Sequence, residues 1–109
     1  AQLATVKRAR YHPEARDELR GAVAYDDEDR ASRGQDLEQV VARIVRRIQV
    51  LPRSAPRWRL VPGPFEIRRA KVKGHPYLVV YGVFTDQLVV LAIAHTSKQP
   101  GYWRTRILK

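Results

Sequence analysis

Apolar residues recur at two different spacings along this chain, and the spacing changes near its middle. In "ASRGQDLEQVVARIVRRIQVLP" (31–52), Leu37, Val40, Val41, Ile44, Ile48 and Leu51 fall on one face of a helix. Arg43, Arg46 and Arg47 lie away from most of that stripe, and Pro52 closes the helix. Upstream, in "HPEARDELRGAVAYDDEDR", Ala15, Leu19, Ala22 and Val23 share a second helical face. Pro13 stands at the natural first position of that helix, and Glu14, Asp17 and Glu18 suit the positive end of its dipole. The helix is expected to fade in the acidic run Asp26–Asp29, read as a solvated end. About three to five residues around Ser32–Gly34 join the two, so the helices should form an antiparallel hairpin.

The rest of the chain reads as strand. "ATVKRARY" (4–11) is a short strand ahead of the first helix. The four prolines of "PRSAPRWRLVPGP" (52–64) make that segment a loop, with a short extended piece at Trp58–Val61. In "FEIRRAKVK" (65–73) the apolar positions change parity between Ile67 and Ala70, which predicts a bulge or an edge near Arg68–Arg69. "GHP" is a turn. "YLVVYGVF" (77–84) and "LVVLAIAH" (88–95) are apolar on both faces, as strands in the middle of a sheet or under helices are. "TDQ" is the tight link between them. The order is β-α-α-β-β-β. It predicts an α+β, two-layer domain over 1–109, with a helical hairpin on one face of a small antiparallel sheet.

Composition narrows the function. The 109 residues include no cysteine, which excludes a disulfide scaffold and a thiolate zinc site. No apolar run approaches the roughly 20 residues of a membrane span, and "AQLATVKRAR" has no signal-peptide apolar region. A cytoplasmic protein is expected. The net charge is +10, and it is uneven. Residues 1–51 carry ten basic and nine acidic groups, whereas residues 52–109 carry eleven and two, the two being Glu66 and Asp86. A half with that excess attracts polyanions or acidic proteins; the plainer alternative is solubilising charge.

Candidate chemistry follows the same asymmetry. Neither a G-x-x-x-x-G-K-[ST] nor a G-x-G-x-x-G loop occurs, and Ser32, Ser54 and Ser97 lie in no nucleophile elbow. His12, His75 and His95 lack metal-ligand spacing, so neither metal nor cofactor is expected. Alternation places Arg69, Lys71 and Lys73 on one side of their strand and Arg68 on the other. His95, Lys98, Tyr102, Arg104 and Arg106 follow the last strand. If the two sets meet, they form a basic, aromatic-lined concavity suited to single-stranded nucleic acid. Metal-free RNA cleavage needs a base, an acid and cations at the phosphorane. His95, Lys98 and Tyr102 would move protons, and Arg68 or Arg69 would hold charge. Structural roles compete with these. His95 closes the parity set Val89, Leu91, Ile93 and would sit half-buried. Tyr102 and Trp103 would anchor the C-terminal segment, Tyr77 and Tyr81 would be core, and Arg106 and Lys109 would be solvated.

The segments "YHPEARDEL", the helix pair ending "VLP", and "FEIRRAKVKGHPYLVVYGVFTDQLVVLAIAHTSKQPGYWRTR" together resemble the RelE/ParE superfamily of toxins from bacterial type II toxin–antitoxin modules. The likeness covers roughly residues 6–106. Its most specific piece is H-P-Y-x-V-V-Y with the following hairpin and A-x-A-H-x-x-K-x-P-x-Y-W, where the family usually carries Arg in place of Lys98. The resemblance implies a β-α-α-β-β-β fold and a small antitoxin partner that wraps the toxin, in a heterotetramer or larger complex. It also implies one of two activities. The RelE-like branch cleaves messenger RNA in the ribosome. Arg68 and Lys98 match its cations and Tyr102 lies near its tyrosine, while Leu78 stands where that branch has Arg and Glu66 where it has Lys. The ParE-like branch poisons DNA gyrase and needs no nuclease residues. The expectation favoured here is ribosome-associated RNA cleavage by Arg68, His95, Lys98 and Tyr102. Arg69, Lys71, Lys73, Arg104 and Arg106 would contact nucleic acid, and exposed Phe65 and Ile67 with their strand edge would bind antitoxin. Gyrase inhibition without catalysis is the alternative, and a plain RNA-binding module is a third reading.

Overall fold

The computed structural model describes residues 6–29, 32–59 and 64–108. Strand β1 (Ala9–Tyr11) leads into α1 (Pro13–Asp29) and α2 (Arg33–Val50), followed by β2 (Glu66–Lys71), β3 (Tyr77–Val83), β4 (Leu88–His95) and a terminal 3-10 turn, Arg104–Leu108. The order is β-α-α-β-β-β, an α+β fold. Sheet order is β1-β4-β3-β2. The β2, β3 and β4 pairings are antiparallel, and β1 adds to β4 in parallel, so the sheet is mixed. A parallel edge follows from the topology. The hairpin crosses the sheet before the chain returns, and β1 lies beside the last strand rather than beside β2. Ala4 and Thr5 of the expected first strand lie outside the described residues, as do Leu60–Val61 of the extended loop piece and Lys109.

Local chemistry sets the helix ends. His12, just before Pro13, accepts the Glu14 N–H at Nδ1 (3.1 Å) and so caps α1. The acidic run is not a frayed end, because α1 continues to Asp29 and two of its acids are engaged. Asp27 Oδ1 accepts the Gly34 N–H (2.9 Å), so one helix caps the first turn of the other. Asp26 is buried against His75 of the β2–β3 turn, whose Nε2 lies 2.7 Å from Asp36 of α2. Gly34 therefore belongs to α2, not to the link. A Cβ there would come within 2.3 Å of the Val23 carbonyl oxygen, and that close approach is why the helices can cross here. At the other end α2 stops at Val50, and Leu51, read as part of the apolar stripe, is 56% exposed.

Both faces of the sheet are covered. Tyr77, Val79 and Tyr81 of β3 pack under Leu37, Val41 and Ile48 of α2. Ile67, Val80 and Leu91 point the other way, onto Trp103, with Trp58 from the loop beside it at a ring-centroid distance of 5.4 Å. The parity change between Ile67 and Ala70 is thus a change of face within an unbroken strand. β2 pairs with β3 in continuous register from Glu66↔Val83 to Lys71↔Leu78. The bulge lies in β4 instead: Val80 faces Ala92 and Tyr81 faces Val90, leaving Leu91 as the extra residue. It splits the set Val89, Leu91, Ile93, His95. Val89 and Leu91 join the tryptophan face, and Ile93 joins Leu88 and Val90 under the helices.

Candidate functional site

Beyond Val90, β4 has no strand neighbour on one side, since β1 pairs only as far as Tyr11↔Val90. Side chains complete the ladder. Glu18 of α1 accepts the Ile93 N–H at Oε1 (3.1 Å), and Arg106 Nη1 donates to the Leu91 carbonyl (2.9 Å). The two side chains then pair with each other in a fork, at 2.9 and 3.0 Å. Tyr102 donates its hydroxyl proton to Glu18 Oε2 at 2.7 Å, and the Arg106 guanidinium lies 5.1 Å from the Tyr102 ring centre. Burial, followed by the Glu18 carboxylate, pushes the Tyr102 phenol far above its ordinary value. The sequence pattern gives Glu18 a place at the helix dipole and no part in a site. The only signal for more is a carboxylate on the apolar side of α1, beside Ala15, Leu19 and Ala22.

Three of the four residues expected to be catalytic meet beside this knot. His95 lies across the strands from Tyr77, edge-on to its ring at 5.1 Å. Its Nδ1 accepts the Ser97 N–H (3.0 Å) and lies 2.7 Å from the Ser97 hydroxyl, which fixes the ring at the turn. Lys98 holds its ammonium 5.5 Å from the Tyr102 ring centre. His95, Lys98 and Tyr102 border a cavity of about 240 Å³ with Tyr25, Tyr77 and Glu18. The same three border a smaller one of about 110 Å³ on the tryptophan side.

Arg68 does not join them. It lies opposite Tyr81, whereas His95 lies opposite Tyr77 two strands away from β2. Four residues of rise and two strand spacings separate their backbones by roughly 16 Å. Its guanidinium is committed where it stands, to Glu66 at 2.7 Å and to the Ala55 carbonyl at 2.6 Å. Arg53 grips the same carboxylate at 2.9 and 2.8 Å. Burial alone would raise the Glu66 pKa, but the hydrogen bonds and charges of Arg53 and Arg68 outweigh it and hold it below the usual value. Glu66 thus neutralises the cation beside it.

The residues expected to touch nucleic acid are dispersed as well. Arg69 lies over the Trp58 ring at 4.6 Å, on the face away from the helices. Lys71 and Lys73 line a groove against α2 instead. Arg104 is exposed, with its Nε donating to the Gly101 carbonyl. Arg106, expected to be solvated or on phosphate, is 7% exposed and spent on Glu18 and Leu91. Ile67 is fully buried under Trp103 and Phe65 is half-buried with it, so neither is the exposed apolar residue expected for antitoxin. The reason is the second covered face, which a two-layer reading leaves open.

No helix among the described residues is long and apolar enough to cross a membrane. In comparisons with known proteins, no curated protein matches the chain. A solved structure described as the chromosomal ParDE TA system from P. aeruginosa shares the fold, with a TM-score of 0.70 at 17% identity, covering 84% of this chain and 97% of that one. The model of the ParE toxin of the type II toxin–antitoxin system parDE matches residues 9–100, a span from the first strand through the turn that carries Lys98. The chain therefore belongs to the ParE toxin family of type II toxin–antitoxin systems, and a cognate antitoxin is its partner.

Proposed function

We propose that this toxin acts by binding, as an inhibitor of DNA gyrase without catalytic chemistry of its own. One observation carries the reading: the cation and the proton carriers that RNA cleavage would need are held apart and already employed. Arg68 is neutralised by Glu66, some distance from the corner that holds His95, Lys98 and Tyr102. The Tyr102 hydroxyl donates to Glu18, so giving its proton to a leaving oxygen would break the knot that holds the C-terminal segment. Membership of the ParE family supports the same reading. RNA cleavage at the ribosome keeps one support as a second reading, the convergence of His95, Lys98 and Tyr102 on a single cavity.

Expression of His95→Ala and Tyr102→Phe in growing cells separates the two. A general acid or base contributes roughly 10²–10⁴-fold to rate, so a nuclease would lose its toxicity and its cleaved transcripts with these changes. A gyrase binder retains growth inhibition in both variants, with double-strand DNA breaks and intact ribosome-bound transcripts. Loss of toxicity in both, with both proteins folded, would reinstate the nuclease.

A further inference from the structure

One stripe of α1 opens onto the cavity of about 240 Å³ that His95, Lys98 and Tyr102 border. Glu18, Gly21, Ala22 and Tyr25 lie three and four residues apart, so they share that face of the helix. Gly21 is the unexpected member. Glycine is the poorest helix former after proline, and this one stands in the middle of a 17-residue helix. Gly34 is needed because the other helix presses on it. Gly21 is not, since an added Cβ would find no atom within 4 Å. The space it leaves belongs to the cavity. Tyr25, one turn further on, is the most exposed large apolar side chain among the described residues, at 70%. The opposite wall brings charge. Lys98 takes part in no ion pair among the described residues. His95 accepts the Ser97 N–H at Nδ1, so the proton of the neutral ring is on Nε2, which is a donor. The one carboxylate in the wall, Glu18, is already held by Arg106, Tyr102 and the Ile93 amide.

We infer that this cavity is a binding site for a small aromatic monoanion, a single ring carrying a carboxylate, with the ring over Gly21 beside Tyr25 and the carboxylate at Lys98 and His95 Nε2. Volume sets the size of the occupant. The cavity is smaller than the roughly 300–1,000 Å³ of a drug-sized site, so it takes one ring and neither a helix nor a strand. The walls set its character. Ala22 and Ile93 are buried and apolar, and the Tyr25 ring is free to pack against a second ring. Charge sets its head group. One ammonium and one neutral donor match a single negative charge, and the Glu18 carboxylate in the wall opposes the second charge of a phosphate monoester. A mononucleotide brings that second charge and a sugar besides. Occupancy ties α1 to the turn after β4, so the ligand stabilises the folded toxin by mass action.

The inference goes beyond gyrase inhibition, and its test needs no gyrase. Isotope-labelled full-length protein is titrated, by amide NMR, with benzoate. Acetate supplies the charge without the ring, benzyl alcohol the ring without the charge, and uridine 5′-monophosphate the nucleotide. Benzoate should give saturable shifts at Gly21, Tyr25, His95 and Lys98 with a dissociation constant of about 1 mM, the range open to so small a ligand. Acetate and benzyl alcohol should each bind about tenfold more weakly or worse. Gly21→Leu fills the cavity from the helix side and should abolish binding. Its thermal midpoint should be no lower than that of the parent, because leucine is the better helix former, and it should no longer rise with benzoate as the parent's does. Lys98 is exposed, so Lys98→Gln keeps the fold; it should lose about tenfold for benzoate and nothing for benzyl alcohol. Arg43→Gln, which removes the same charge from a groove on α2, should change neither. Benzoate binding that survives Gly21→Leu, equal loss in Arg43→Gln, acetate as good as benzoate, or no saturable shifts would each overturn the assignment. Tighter binding of the nucleotide at the same residues would overturn it too and return the cavity to RNA. Failure of benzoate to bind leaves the gyrase reading standing, because that reading is measured on a different protein.

Discussion

Glu18 shows how much one side chain can decide. It accepts from the Ile93 amide, the Tyr102 hydroxyl and two nitrogens of Arg106. Glu18→Ala would strand a guanidinium that is 7% exposed. Breaking a buried pair on one side costs about 3 kcal/mol or more, and urea unfolding should show that loss. Buried phenols, that of the knot among them, give the protein an alkaline limit. Burial raises the phenols of Tyr11, Tyr77, Tyr81 and Tyr102 above their ordinary value. Unfolded tyrosines lose their protons near pH 10 while the folded ones retain theirs, so stability present below about pH 10 falls as pH rises beyond it. Tyr102→Phe should make that fall shallower, measured as the urea midpoint between about pH 8 and pH 11. At this scale the sequence is partly legible. Trp103 as an anchor and Tyr77 and Tyr81 as core can be read from it, because apolar burial leaves a parity signal. The Glu18–Arg106 pair cannot, because the two residues lie 88 positions apart and only the fold brings them together.

The elements themselves are the most readable part of the chain, and two glycines test how the helices meet. Gly21 lies in the middle of α1, where an added methyl group would find nothing within 4 Å, so Gly21→Ala should stabilise by up to about 1 kcal/mol through helix propensity. Gly34 sits in the first turn of α2 against the Val23 carbonyl, and Gly34→Ala should destabilise by more than that gain, since the hairpin must open. Thermal unfolding of the pair should move in opposite directions; equal shifts would mean the helices do not touch there. Helix periodicity, Pro13 and Pro52 locate both helices from sequence. The bulge is harder. Its parity signal is masked because β4 is apolar on both faces, so Leu91 looks like any other core residue. In β2 the reverse happens, and a change of face between Ile67 and Ala70 imitates a bulge.

At the scale of the whole molecule, charge is distributed by role. Arg53, Arg68 and Arg106 are bound to carboxylates and hold the fold, Arg69 covers a tryptophan, and Arg43, Arg47, Lys71 and Lys73 line one groove. Counting cations along the sequence cannot separate these uses, because each depends on the neighbour that the fold supplies. The protein's antitoxin partner follows from family membership, and gyrase is the proposed target. The most direct test is a supercoiling assay with purified gyrase and purified toxin, with ribosome-bound messenger RNA added to the same tube. Supercoiling should stop as toxin approaches the amount of gyrase present, and the RNA should stay whole. Cleaved RNA with supercoiling unimpaired would contradict a toxin that works by binding alone.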